Sequence, residues 1–240
     1  MNIGSLNTPF IYRGEELIYP NYVKDGLVLH YDFSAMSNDD VSRGVAKDLS
    51  GNGNDGTLQN FNFTPESGYD KNKLLFDGVD DFVRANKLET LTDFSVELVF
   101  QRNSAGISTI AYLTTEANTT GYGMVIQTNR IRYWSDPTDA QSGVNIKQFS
   151  TNLDKQHVII TFEKGELKVY RNGKLGTSET IDFPSNLKGF AIGRYDNVLT
   201  SPLLSGIFQS AKIYNRALSP EEIQHNYQIE KERFNIGGGE

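Results

Sequence analysis

The sequence predicts an all-β protein, two antiparallel sheets packed face to face with one short C-terminal helix. Three observations carry this. Short apolar segments alternate with polar residues at regular spacing, turn-forming residues separate them, and a single capped helix follows the last one. Composition agrees, since 22 Gly, 12 Tyr and 14 Phe stand against 3 Met and 1 Trp, a balance suited to strands joined by tight turns.

From Gly26 onward, Leu27, Leu29, Tyr31 and Phe33 share one face of a strand against Val28, His30 and Asp32. Phe94, Val96, Leu98 and Phe100 alternate with Ser95, Glu97 and Val99, which predicts one buried and one largely solvated face. Val158, Ile160 and Phe162 repeat the pattern, with His157 opening the strand. Two turns follow, at 163–166 and 171–174, and the second holds Asn172-Gly173, the strongest short hairpin signal, so three consecutive antiparallel strands are predicted. Further strands are expected at 73–77, 80–85, 107–114, 121–127, 130–135, 188–194 and 206–214. The helix is expected over 219–233. Ser219 suits its N-cap, Pro220 its first position, and Glu222 the reciprocal bond of a capping box, while Leu218 and Ile223 are spaced as a hydrophobic staple.

These elements make one sandwich domain over residues 25–234, after an N-terminal arm at 1–24 and before a flexible Gly-rich tail at 235–240. The arm mixes Pro9, Gly14 and Pro20 with Phe10, Tyr12, Tyr19 and Tyr22 and does not alternate cleanly. Its four aromatics are expected to pack either on their own sandwich or on a neighbouring subunit. With 23 basic and 30 acidic residues the net charge is −7, and no Lys/Arg run offers a counterion-releasing surface, so nucleic acid and membranes are not expected as partners. Bulk charge leaves neutral sugars, or acidic ones bridged by cations, as the easier ligands. Cysteine is absent, which removes disulfides, thiolate metal sites and a cysteine nucleophile. The first residues lack a basic n-region and an apolar h-region, so export by that route is not expected of the sequence as written: either a signal has been removed, or the protein leaves its producing cell by another path such as lysis.

Four segments, taken in order, carry a resemblance: Asp48–Thr57, Leu75–Val83, Val169–Leu175, and the closing strand with its helix. Their order and spacing over about residues 26–230 resemble the laminin G-like, concanavalin A-like lectin family. The resemblance implies a jelly-roll sandwich. It also matches His157-Val158 to the family's His-Val pair that opens a central strand, which implies a structural histidine. Similarity to tailed-phage members with a short arm implies a virion protein, oligomeric within an assembly and touching other virion subunits. Such a protein would be assembled in the host cytoplasm and released by lysis.

Two acidic loops bear on cations. Asp48, Ser50 and Asn52 follow the first half of an EF-hand, but its twelfth position falls on Gln59, and an Asn/Gly turn explains the loop without metal. Asp77, Asp80 and Asp81 crowd around Gly78, either bonding to backbone N–H groups or converging on calcium, the one cofactor left open. In the resembling family a calcium ligand often comes from the closing strand, where this chain has Gln209.

For sugars, aromatic faces beside planar polar side chains are needed, and two clusters supply them: Arg132, Tyr133, Trp134 and Asp136, and Arg194, Tyr195 and Asn197. Tyr133 or Trp134 is equally suited to a core position with its polar atom at an edge. No strand carries the paired carboxylates of a glucanase, Glu97 stands alone, and His30, His157 and His225 are scattered. The expected function is a non-catalytic, lectin-like virion protein binding host-surface glycans and anchored through its arm. Two alternatives stay open, a purely structural capsid or tail decoration protein and a glycan-processing enzyme.

Overall fold

The structure, a computed structural model, describes residues 10–13, 16–85, 88–104, 106–115, 123–128, 130–133, 144–147, 153–183, 186–194 and 203–237, the side chains of 10–19 and 147 excepted. In chain order the first strands are β1 (Phe10–Arg13), β2 (Glu16–Pro20), β3 (Leu27–Asp32), β4 (Val45–Ala46), β5 (Gly56–Gln59) and β6 (Gly68–Tyr69). Next come β7 (Leu74–Asp77), β8 (Phe82–Ala85), β9 (Phe94–Arg102), β10 (Thr109–Thr114), β11 (Gly123–Gln127), β12 (Arg130–Tyr133) and β13 (Val144–Lys147). The last are β14 (Gln156–Glu163), β15 (Glu166–Arg171), β16 (Lys174–Thr180), β17 (Gly189–Ile192), β18 (Ser205–Tyr214) and α1 (Pro220–Phe234).

The strands form two antiparallel sheets. The first runs β16-β15-β14-β9-β18-β7-β6 with β3 also on β18, and the second runs β13-β12-β11-β10-β17-β8-β5-β4. Inward residues of both sheets fuse into one core, in which Phe94 stacks on Phe162 and Phe100 on Phe208, opposite Ile110, Met124, Ile131 and Phe190. Asn172 and Gly173 adopt φ of +48° and +74°, as the two-residue turn between β15 and β16 requires. β1 and β2 pair only with each other, so the arm contains a hairpin where no alternation predicted one. Phe10 and Tyr12 lie on β1 and Tyr19 on β2, their side chains outside the described part. Tyr22 is a correction to the partner-binding arm: it is buried in its own domain, beside Val23.

The helix is capped as its residues dictate. The Ser219 hydroxyl accepts the Glu222 N–H, the Glu222 carboxylate accepts the Ser219 N–H at 2.8 Å, and Leu218 and Ile223 pack in one cluster with Ile159 and Tyr214. This helix overturns the expectation of a solvated outer face on β9. Ser95, Glu97 and Val99 are all fully buried, as are His30 and Lys212 on β3 and β18.

Beneath α1 lies a buried ionic network. Lys212 Nζ donates to Glu97 Oε1 at 3.0 Å and to Glu230 of α1, with all three side chains inaccessible. His157 Nε2 meets the same Glu97 oxygen at 3.1 Å, and Asn226 Nδ2 donates to Glu97 Oε2 at 2.7 Å. Arg233 bonds Glu230 and Asp32, and donates to the Tyr22 hydroxyl, while Lys212 Nζ sits 4.0 Å from the Tyr22 ring centroid. Burial alone raises the Glu97 pKa, but Lys212 and His157 reverse that and hold it well below the usual carboxylate range. Burial likewise lowers Lys212, and the two glutamates reverse it. Both directions favour the charged pair.

Lys212→Met leaves two buried carboxylates facing each other and is expected to destabilise the fold by about 3–5 kcal/mol in urea unfolding. Replacing Glu97, Lys212 and Glu230 together by Leu, Met and Met should recover most of that loss. A cost below about 1 kcal/mol for Lys212→Met would contradict the clamp.

Candidate functional site

α1 covers the outer face of the first sheet over β3, β9 and β18 and part of β14, leaving β15 and β16 open, while the outward face of the second sheet is built from strands whose inward neighbours are core residues. Val83, Ala85, Phe190, Ile192, Ala111, Leu113, Met124, Ile126, Ile131 and Tyr133 point inward. Alternation therefore sends Phe82, Arg84, Ala191, Tyr112, Val125, Arg130 and Arg132 to the other side. The register lines up one row across six strands, Thr57, Arg84, Ala191, Tyr112, Val125 and Arg132, with Asn145 beyond; Ala191, Tyr112 and Val125 are buried, so the row is accessible only toward its two ends. At the usual strand spacing, Arg84 and Arg132 stand roughly 19 Å apart, four inter-strand spacings across five strands.

One end of this row is more elaborate. The Arg84 and Arg194 guanidinium groups both lie over the Phe82 ring, at 5.4 and 5.2 Å from its centroid. Burial and the neighbouring Arg194 charge both pull the Arg84 pKa down, a crowding of like charges beside an aromatic ring. Just before Arg194, Gly193 has a φ of +88° and no room for a side chain: a Cβ there would lie 2.7 Å from the Phe76 ring and 3.1 Å from the Asp81 carbonyl.

Next to Phe82 is the acidic turn between β7 and β8. The carboxylates of Asp77, Asp80 and Asp81 lie within 4.8 Å of one another, close enough to converge on a cation. Protein donors already reach them. Asp81 Oδ1 accepts the Ser67 hydroxyl and Oδ2 the Asp77 N–H, both at 2.9 Å, and Asp77 Oδ1 accepts the Val79 N–H at 2.7 Å. The donor set therefore fits a cation only in part, with Asp80 and one oxygen of Asp77 open to it. Burial drives the Asp81 pKa up to about 6 against the bonds from Asp77 and Ser67. In the other acidic loop, the Asp48 carboxylate accepts the N–H groups of His30, Ser50 and Asn54, each at 2.9 Å, so that loop is a structural clip between β3 and β5.

The predicted sugar residues are thus partly united. Arg132 and Arg194 lie on the outward side of one sheet, and Arg194 stacks over Phe82, the residue next to the acidic turn, which sequence reading kept apart. Tyr133 is a correction: its ring is buried in the core, edge-on to Phe183 at 5.9 Å, and offers no shelf. Trp134, Asp136, Tyr195 and Asn197 lie outside the described residues. Phe82 and Arg84 were missed, although the alternation Phe82-Val83-Arg84-Ala85 already placed an aromatic and an arginine on one side.

A laminin G-like family profile, described as the concanavalin A-like lectin/glucanases superfamily, matches residues 77–224, more than half of the chain. The chain belongs to this superfamily. Solved structures agree on the fold. Trypanosoma rangeli sialidase in complex with sialic acid superposes with a TM-score of 0.61 at 16% identity, over 95% of this chain and 36% of that one. Domain 4 of AbnA, a GH43 extracellular arabinanase from Geobacillus stearothermophilus in complex with arabinotriose, gives 0.56 at 20% identity, over 82% and 96%. The botulinum neurotoxin serotype D binding domain gives 0.59 at 18% identity, over 86% and 52%. This lectin-superfamily chain therefore spans about a third of the sialidase it matches and nearly all of the arabinanase domain. No curated protein sequence matches it.

Because the folded Asp81 pKa lies above that of an exposed aspartate, the folded state holds this proton more tightly than the unfolded chain. Stability of the lectin-type domain should fall as pH rises from about 4 to about 6, by roughly 1–3 kcal/mol. Asp81→Asn should flatten that part of the urea-derived stability curve, and an unchanged slope would remove Asp81 as its source.

Proposed function

We propose that the protein is a non-catalytic carbohydrate-binding module that holds a glycan against the outward face of its second sheet, with the Phe82, Arg84 and Arg194 rim as its anchor. One observation carries the reading: the half-buried Phe82 ring is flanked by the Arg84 and Arg194 guanidinium groups on the outward side of the second sheet. Guanidinium groups present planar forks of donors to sugar hydroxyls, and a rigid sheet holds them at fixed spacing. Among the described residues of the row from Thr57 to Asn145 there is no carboxylate, and Glu97 is enclosed under α1 with Lys212. Both points favour binding over hydrolysis. The superfamily fold supports the same reading, as does the arabinanase domain solved with arabinotriose.

A place in a phage virion, bound to other subunits through residues 1–20, is part of the same proposal. It draws on the sequence resemblance and on the β1–β2 hairpin, a two-stranded sheet marginal on its own that gains most from an additional partner. Tyr22 and Val23 belong to the sandwich rather than to the anchor.

On a glycan array the intact protein is expected to bind a saccharide, and the Arg84→Ala/Arg194→Ala double variant to bind it at least 10-fold more weakly while keeping its near-ultraviolet circular dichroism. Undiminished binding by the variant would move the site elsewhere. No binding by the parent to any glycan would end the lectin reading in favour of a structural module.

A further inference from the structure

The sandwich carries a second cleft, at the other end of β7 from the acidic turn. It has a volume of about 310 Å³, at the lower end of ligand pockets and suited to one pyranose-sized group. Lys71, Asn72, Lys73, Lys155, Gln209, Arg233, Phe234 and Asn235 line it: four cations, three amides, one aromatic residue and no carboxylate. In a chain of net charge −7 this is a local reversal of sign.

Not all of these cations are neutralised. Lys73 bridges Asp70 at 3.1 Å, and Arg233 is shared between Asp32 and Glu230. Lys155 donates to the Phe234 carbonyl at the end of α1, and its pKa is lowered by burial and by Lys73. Among the described residues no carboxylate pairs with Lys71 or Lys155.

The second observation is independent of charge. Between Phe208 and Ser210 the register of β18 against β9 slips, leaving Gln209 as an extra residue opposite no partner. Such a bulge re-aims a side chain. Gln209 is 4% exposed, it lines the cleft, and its amide oxygen has no hydrogen-bond partner. A buried amide without partners is costly in a finished structure and is satisfied by a hydroxyl or carboxyl group brought by a ligand.

We infer that the cleft formed by Gln209, Lys71, Lys73, Lys155 and Arg233 is a binding site for a carboxylate-bearing saccharide residue, distinct from the Phe82 rim. The lysines meet the carboxylate, and Gln209, Asn72 and Asn235 meet ring hydroxyls. The saccharide part of this assignment rests on the carbohydrate-binding reading above. The cation-free capture of an acidic sugar revises what bulk charge suggested, because a screened field is set by groups within about 8–10 Å rather than by the net charge.

The test is a side-chain amide titration by ¹⁵N NMR on the full chain, with the Gln209 resonances identified by their loss in Gln209→Leu. Methyl β-glucuronide should shift them saturably and methyl β-glucoside should not. Lys155→Met, or Lys71→Ser on its exposed turn should the former fail to fold, should weaken the glucuronide at least 10-fold. Arg84→Ala/Arg194→Ala should leave the shift intact. An absent or non-saturable shift, or an equal response to the glucoside, overturns the site. Sodium sulfate binding as tightly as the glucuronide would mean a bare anion pocket and would overturn it too. If the array is positive and the cleft silent, only this inference falls. A silent array with a saturable cleft would end the proposed glycan-binding function and leave the cleft as a site for an isolated uronate only.

Discussion

Lys212, held without solvent between Glu97 of a central strand and Glu230 of the helix, is the constraint on which the rest of the molecule depends. Taking three charges out of water is unfavourable by several kcal/mol each, and the Coulomb gain offsets it only when geometry is good and remaining polar atoms are bonded. Here they are bonded: His157 and Asn226 complete Glu97, and Ser210 and Arg233 complete Glu230. Apolar packing would hold a helix on a sheet in several registers. Directional bonds from three strands allow one.

That clamp decides where a ligand can go. It closes the outer face of the first sheet over β3, β9, β14 and β18, so residues that look solvated by alternation become interior. The two proposed sites lie away from the clamped strands, on the outward side of the second sheet and in a cleft at the margin of the clamp. The rim of Phe82, Arg84 and Arg194 is the first of these, and the Gln209 cleft, bounded by the end of α1, is the second. The same helix therefore subtracts one surface and helps to build another.

Much of the fold is legible in the chain because it is local or periodic. The capping box of Ser219 and Glu222 needs three residues of spacing, and the Asn172-Gly173 turn needs two. What resists is non-local. Glu97 reads as a lone acid because the ammonium that pairs with it is 115 residues away. The wet face predicted for β9 depends on whether a helix lies over it, which alternation does not encode. β4 and β6, of two residues each, have no period to detect. Within the site, Tyr133 was readable as inward from its spacing to Ile131, whereas Gln209 was not, since one bulged residue reverses the facing of everything counted across it.

The central claim, that the helix clamp leaves the second sheet as the glycan-bearing face, is tested most directly by amide hydrogen exchange with and without a bound neutral glycan. The account expects added protection in β8, β10, β12 and β17, with α1 and β9 exchanging as slowly before as after. Protection appearing instead over α1, β14 or β15, with the second sheet unchanged, would contradict it.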